Sequence, residues 1–307
     1  MTVSLLTHRA CLEHCNPPWH PESPARLEAV SAALSAGPVE RGIAHWIEAP
    51  RAAREDVLRV HAADHVERLA ALDRAGGGAL DPDTYLGTGS LEAAWRAAGA
   101  AVRAAELALS GGAAAFCPVR PPGHHATPAR AMGFCLFNNA AVAARVALER
   151  LDAARVLVVD WDVHHGNGTA DAVRTEPRVR YVSLHQWPYY PGTGAEDDTG
   201  AGNLFHVPRP PGLPRERYVA DLLAAVDRAV AGFVPSLVIV SAGFDALAGD
   251  PLGGFTLEPD DYHDLTQAIR RRASGAPMVS VLEGGYDPAR LAAAVVRHVE
   301  ALAAPRG

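Results

Sequence analysis

The sequence contains no lysine: all 28 of its basic residues are arginine. This excludes Schiff-base chemistry and the lysine of a phosphate-binding P-loop. Cysteine is scarce as well. Cys11, Cys15, Cys117 and Cys135 are too few and too scattered across 307 residues for a disulfide framework, and they fit a reducing cytoplasm. The chain does not open on a basic segment followed by a long apolar one, and no later stretch has the apolar length to cross a bilayer. The sequence therefore predicts neither secretion nor membrane insertion. An excess of positive charge is also missing. The formal net charge is −7, which argues against nucleic acid as a direct ligand. Gly166 and Gly168 do not complete a dinucleotide fingerprint, so no nucleotide cofactor is expected.

Hydrophobic residues are abundant, at 49% of the chain, enough for a sizeable core. AAAFCPV, ARVLVVD, RVRYVSLH, SLVIVSAGF and APMVSVLEGG read as buried strands. Between them NNAAVAARVALERL, RERYVADLLAAVDRAVAGF, PDDYHDLTQAIRRRA and PARLAAAVVRHVEALAA carry helix-period hydrophobics. This alternation predicts an α/β fold, a central mostly parallel sheet flanked by helices on both faces. No repeat, charge block or long linker interrupts it, so residues 1–307 are expected to form one domain, with long loops at 184–203 and 244–261 that suit a functional rim.

In an open parallel sheet, ligands bind beyond the carboxyl ends of the strands. There the chain places Arg120 to His125, then Asp160, Asp162, His164 and His165, then Gly243 and Asp245, then Glu283 to Tyr286. Asp162 and His164 are two residues apart, and a strand continuing that far would point both to one face. With Asp245 they make an Asp, His, Asp set whose nitrogen and oxygen donors suit a catalytic divalent metal, zinc first and ferrous iron as the other candidate. Taken singly, each residue has a plainer reading: Asp162 as the cap of a helix beginning near Gly168, Asp160 as a strand-end cap, His165 as structural, Tyr286 as a helix-start packing residue. The conjunction favours a site.

The motifs HPESPARL, RPPGHHA, DWDVHHGNG, SAGFDA and LEGGY, in this order, resemble the histone deacetylases, in particular the class II branch and its bacterial relatives, which include acetylpolyamine amidohydrolases and acetoin-utilisation proteins. The resemblance runs from about Pro18 to the C-terminus. It implies an arginase-like α/β fold and a zinc ion on Asp162, His164 and Asp245. It also implies His125 as general base, His124 as its electrostatic partner, and Tyr286 as oxyanion donor on a flexible Gly284-Gly285 hinge. Asn167 stands where class I members have an aspartate, as in class II. Asp160 orients His124 and, by the same resemblance, helps hold a structural potassium ion with Ser183 and the carbonyls of Asp162, His164 and Leu184. The chemistry is consistent, since amide hydrolysis needs an activated water, a polarised carbonyl, a stabilised oxyanion and a proton for the departing amine.

By resemblance, Phe134 and Tyr190 form the aromatic walls of an acyl-lysine tunnel, with Gly133 between pocket and metal. Tyr190 stands where phenylalanine is more usual. Leu252 occupies a position where a polyamine-selective relative has glutamate, which demotes acetylpolyamines. Some bacterial relatives reach that selectivity by dimerisation, so a homo-oligomer is compatible with this reading. Asp83 matches a rim carboxylate that holds the substrate backbone, although Asp81 and Asp83 around Pro82 suit a turn equally well. Arg26 matches an inner-channel arginine; a helix-surface position is its plainer alternative. His8, Cys11, His14 and Cys15 have spacings compatible with a second zinc site, or with buried cysteines in a rim segment.

The expected activity is zinc-dependent removal of an acetyl or related acyl group, with acyl-lysine in a protein or peptide as the first substrate class. A deacylase of small acylated amines is the rival enzyme, and a non-catalytic acyl-lysine binding protein the rival without chemistry. The intact His125 and Tyr286 argue against the latter. A dinuclear arginase-type centre would need further carboxylates, and none follows Asp245 two residues on.

Overall fold

Every residue of Val156–Asp160 is buried, which a strand achieves only when both faces of its sheet are covered. The computed structural model, describing residues 2–305, shows the covering layers. Met1, Arg306 and Gly307, the ends of the expected domain, lie outside the described residues.

In chain order the strands are β1 (Val3–Thr7), β2 (Ala44–Glu48), β3 (Gly78–Ala79), β4 (Tyr85–Leu86), β5 (Ala115–Cys117), β6 (Val156–Asp160), β7 (Val179–Gln186), β8 (Leu204–Arg209), β9 (Leu237–Ala242) and β10 (Met278–Leu282). Eight of them form one sheet in the order β2, β1, β5, β10, β9, β6, β7, β8, and all of its pairings are parallel. β3 and β4 form a separate antiparallel pair. Alternate residues of β6 divide between two apolar layers, as the two-residue period of a strand requires. Leu157 and Val159 pack with helices Pro24–Leu34, Arg215–Val230, Pro259–Arg272 and Pro288–Ala303; Val156 and Val158 pack with helices Ser90–Gly111 and Asn139–Glu149.

Five of the eight strands are those read from the sequence; β1, β2 and β8 are additional. β2 and β8 are the sheet's edges. Their half-exposed residues, and Pro208 within β8, break the apolar run that marks a central strand. Among the described residues no helix is long and apolar enough to cross a membrane.

Burial also sets an acid limit on stability. His298, fully buried on Pro288–Ala303, bonds Thr266 Oγ1 at 2.6 Å and Ser280 Oγ at 2.9 Å, and burial pushes its pKa down to about 3. Burial, aided by His65, holds His61 at about 3 as well. The unfolded chain takes up these protons below about pH 6.5 while the folded chain does not. Stability is therefore full above that pH and falls as the pH drops toward 3, by at most about 1.4 kcal/mol per pH unit per histidine. Thermal midpoints measured from pH 7 to 4.5 are expected to fall less steeply for His298→Gln than for wild type; equal slopes would remove His298 from this account.

Candidate active site

Parallel strands bring the segments after β5, β6, β9 and β10 to one edge. β6 ends at Asp160 and the chain bends over residues 162–164, so the strand spacing expected for Asp162 and His164 does not apply. Local hydrogen bonds produce the convergence instead. Asp162 Oδ1 accepts His164 N at 2.9 Å and lies 3.0 Å from His164 Nδ1. Asp245 Oδ1 accepts Val163 N at 2.8 Å, and its Oδ2 lies 3.3 Å from the same imidazole nitrogen. The ligand atoms of Asp162, His164 and Asp245, all buried, lie within 4.8 Å of one another. Gly284 closes the group, its N–H donating to Asp162 Oδ2 at 2.9 Å. A Cβ there would collide with the carboxylates of both Asp245 and Asp162. Close packing requires a glycine at this position.

The three residues fit a cation. Asp245 Oδ2 is buried with no hydrogen-bond partner, a cost that a ligated ion removes. Burial, reinforced by Asp162, pushes Asp245 up to about 7. Against burial, Asp162 and Asp245 draw His164 up to about 9. Two buried carboxylates thus compete for positive charge at one point, and the nitrogen and oxygen donors suit a divalent ion.

His124 and His125 differ by their partners. His124 Nδ1–H donates to Asp160 Oδ2 at 3.1 Å, and its Nε2 lies 3.8 Å from Asp162 Oδ1. Burial pushes His124 down, but the two carboxylates outweigh it and carry the ring up to about 10. His125 Nδ1–H donates to the neutral Asn167 Oδ1 at 2.8 Å, while burial and the charges of His124 and His164 hold it well below the usual histidine range. Asn167 is the first residue of helix Asn167–Val173. The N-cap is Gly166, not Asp162.

Two further groups support this pair: Tyr181, not singled out from the sequence, and Glu283, named there only among the residues after a buried strand. Tyr181 O–H donates to Asp160 Oδ2 at 2.8 Å. Glu283 accepts Gly123 N at 2.6 Å, His124 N at 3.1 Å and Ser241 Oγ at 3.2 Å. Burial, opposed by His124, pushes Glu283 up to about 7. Its place in LEGGY, directly after a buried strand, was the available signal.

A cleft of about 250 Å³ leads down to these residues, lined by Asp83, Gly133, Phe134, Tyr190, Leu252 and Tyr286 and also by Tyr189. Phe134 has a positive φ of 68°, an uncommon conformation for such a residue, held by its N–H to Thr84 Oγ1 at 3.0 Å. Its ring meets Tyr286 edge-on at 6.0 Å; Tyr190 meets His125 at 5.0 Å. Tyr189, unanticipated, stacks on His164 at 5.4 Å. Burial, opposed by Arg26, keeps the Tyr286 phenol protonated.

Asp83 N donates to Asp81 Oδ1 at 3.0 Å, so Asp81 takes the turn-forming role while Asp83 reaches the cleft. Arg26 is neither on a helix surface nor in the cleft wall. It is 1% exposed, its guanidinium 4.8 Å from the Tyr286 ring, and its donors are taken by Glu22, Glu283 O and Gly285 O. Asp160 and Ser183 face each other in register across β6 and β7, and Leu184 follows within β7. The N-terminal histidines and cysteines do not assemble. His14 bonds Ser90 Oγ at 2.7 Å and approaches Glu22, Cys15 is exposed while Cys11 is buried, and among the described residues only Asp162, His164 and Asp245 form a metal-capable group.

Comparison with known proteins agrees with this geometry. The family model described as the histone deacetylase domain matches residues 20–302. A histone deacetylase-like amidohydrolase of Pseudomonas aeruginosa is 41% identical over 279 residues, covering 88% of this chain and 73% of its own. A probable deacetylase of Methanothermobacter thermautotrophicus is 38% identical over 293 residues, covering 94% and 87%. The crystal structure of the HDA15 HD domain superposes with a TM-score of 0.94 at 36% identity, covering 98% of this chain and 88% of that one. With the strand-end cluster at the foot of a narrow cleft, these matches show that the chain belongs to the histone deacetylase family of deacetylases and amidohydrolases.

Proposed function

We propose that this protein is a zinc-dependent amidohydrolase, one deacetylase domain, that removes acetyl or a related acyl group from the lysine side chains of proteins or peptides. The observation that carries the reading is a cleft whose walls are aromatic and apolar and whose floor joins Asp162, His164 and Asp245 to His125 and Tyr286. Zinc held by those three residues would polarise the acyl carbonyl and acidify a water molecule.

The remaining steps belong to the protein's own groups. His125 Nε2 takes the proton of the attacking water, because Asn167 already occupies Nδ1; it then returns that proton to the departing amine. His124, paired with Asp160, remains cationic and supports negative charge nearby. The Tyr286 O–H donates to the developing oxyanion. Phe134 and Tyr190 flank the methylene chain without demanding hydrogen bonds from it. Asp83 accepts a substrate N–H at the mouth, and Leu252 offers no charge to a second amine. A structural potassium ion would draw on Asp160, Ser183 and the carbonyls of Asp162, His164 and Leu184, buttressing the strand end that carries the metal ligands.

Acetyl-, propionyl- and trifluoroacetyl-lysine peptides, assayed beside acetylspermidine and acetylputrescine, test the substrate class. Lysine peptides are expected to be hydrolysed with the highest kcat/KM, and the reverse order would assign a small-molecule deacylase. Tyr286→Phe is expected to lower kcat by about 10²- to 10³-fold with metal content and KM little changed, the loss typical of one oxyanion donor. A variant as fast as wild type would remove Tyr286 from the mechanism.

A further inference from the structure

Two segments of the cleft meet at one carboxylate that the mechanism above does not use. Asp250, in AGDPLGG, is 6% exposed. Its Oδ2 accepts Tyr286 N at 2.7 Å and its Oδ1 accepts Leu252 N at 2.9 Å. Both donors belong to residues that line the cleft. Each oxygen is committed, so the carboxylate cannot turn toward one partner without releasing the other. On the opposite side, Arg26 binds the carbonyls that precede Tyr286, with Nε donating to Gly285 O at 2.5 Å and Nη2 to Glu283 O at 2.6 Å. The tyrosine is thus held by its N–H from Asp250 and by upstream carbonyls from Arg26. Gly285 between these anchors has φ +115°, a conformation open to glycine, so the backbone here has little stiffness of its own.

We infer that Asp250 is a positioning residue: it sets Tyr286 at the depth required for donation to the oxyanion and fixes Leu252 at the cleft wall through the same carboxylate. The inference rests on the reading of Tyr286 as oxyanion donor. A charged acceptor of two backbone N–H groups is a strong restraint, and an amide cannot replace it, because one of its two positions becomes a donor facing a donor.

The test is a double-mutant cycle on the full-length, zinc-loaded protein with Asp250→Asn, Tyr286→Phe and the pair, accompanied by amide hydrogen exchange of the segment containing Tyr286. Asp250→Asn is expected to lower kcat about 10- to 100-fold, the scale of a lost bond to a charged group, with a smaller change in KM and at least about 10-fold faster exchange at Tyr286. In the Tyr286→Phe background the same change is expected to cost kcat less than about 3-fold, since a positioning residue acts only through the group it positions. Selectivity between slender and bulky amine chains shifts as Leu252 is released. An equal loss in both backgrounds, or unchanged kcat and exchange in a folded variant, overturns the inference. Should Asp250→Asn fail to fold, Asp250→Ser, which keeps one short acceptor, carries the same cycle. Tyr286→Phe at the wild-type rate would overturn the parent reading instead, and the exchange measurement would still report whether Asp250 holds Tyr286 N–H.

Discussion

Asp245→Asn is expected to give a folded protein that retains no stoichiometric divalent metal and hydrolyses acetylated substrates at least about 10³-fold more slowly, since on the proposed reading the metal's Lewis acidity would be lost along with one of its three ligands. The substitution is chosen because it separates folding from metal binding. Asn keeps the Oδ1 acceptor that holds Val163 N, so the hydrogen bond between the segments that follow β6 and β9 survives. It removes the charge that burial and Asp162 oppose. Without metal, a carboxyl raised to about 7 withholds stability as the pH rises from its unfolded value near 4 through 7. Metal-free Asp245→Asn should therefore melt no lower than metal-free wild type at pH 7, and metal should raise the midpoint of wild type only. Elemental analysis with paired melting curves checks both points. A variant that loads metal fully and turns over at the wild-type rate would exclude Asp245 as a ligand.

The second large effect is expected at His125. His125→Ala should lower kcat by about 10²- to 10⁴-fold, the range for a positioned general base, with metal retained. His124 cannot substitute. Held by Asp160 and faced by Asp162, it is carried up to about 10 and remains protonated at neutral pH. His125 is neutral there, and Asn167 fixes which nitrogen is free. Asn167→Asp would give His125 an anionic partner, favouring its charged form. The base must be unprotonated to act, so the acidic limb of the kcat/KM profile should move to higher pH. A limb that stays in place would show that another group sets it.

Asp162, His164, Asp245, His124, His125 and Tyr286 were all legible as candidates because each immediately follows a buried apolar run, the one place where a parallel sheet exposes side chains to a ligand. Their supporting groups were harder to see. Tyr181 sits within β7, indistinguishable by type from a core aromatic, yet its hydroxyl reaches Asp160. Asp250 looks like an ordinary turn residue before proline, and only the approach of the loop after β10 makes it an acceptor for Tyr286 N. Arg26, whose plainer reading is a helix-surface position, is buried on Glu22, which in turn binds Arg120. The edge strands β2 and β8 carry no unbroken apolar run because half of their surface needs no covering.

By itself the sequence determined the layered α/β architecture, through apolar runs alternating with helical periods, and the chemical identity of the groups at the strand ends. Tertiary structure alone decided how closely those groups converge, which histidine stays charged and which stays neutral, and which backbone atoms hold the tyrosine. Periodicity is a property of neighbours along the chain. Ligation, burial and charge coupling depend on distances between residues far apart in the chain, 122 positions for Gly284 and Asp162 and 259 for Arg26 and Gly285, and such distances exist only once the sheet has closed its layers.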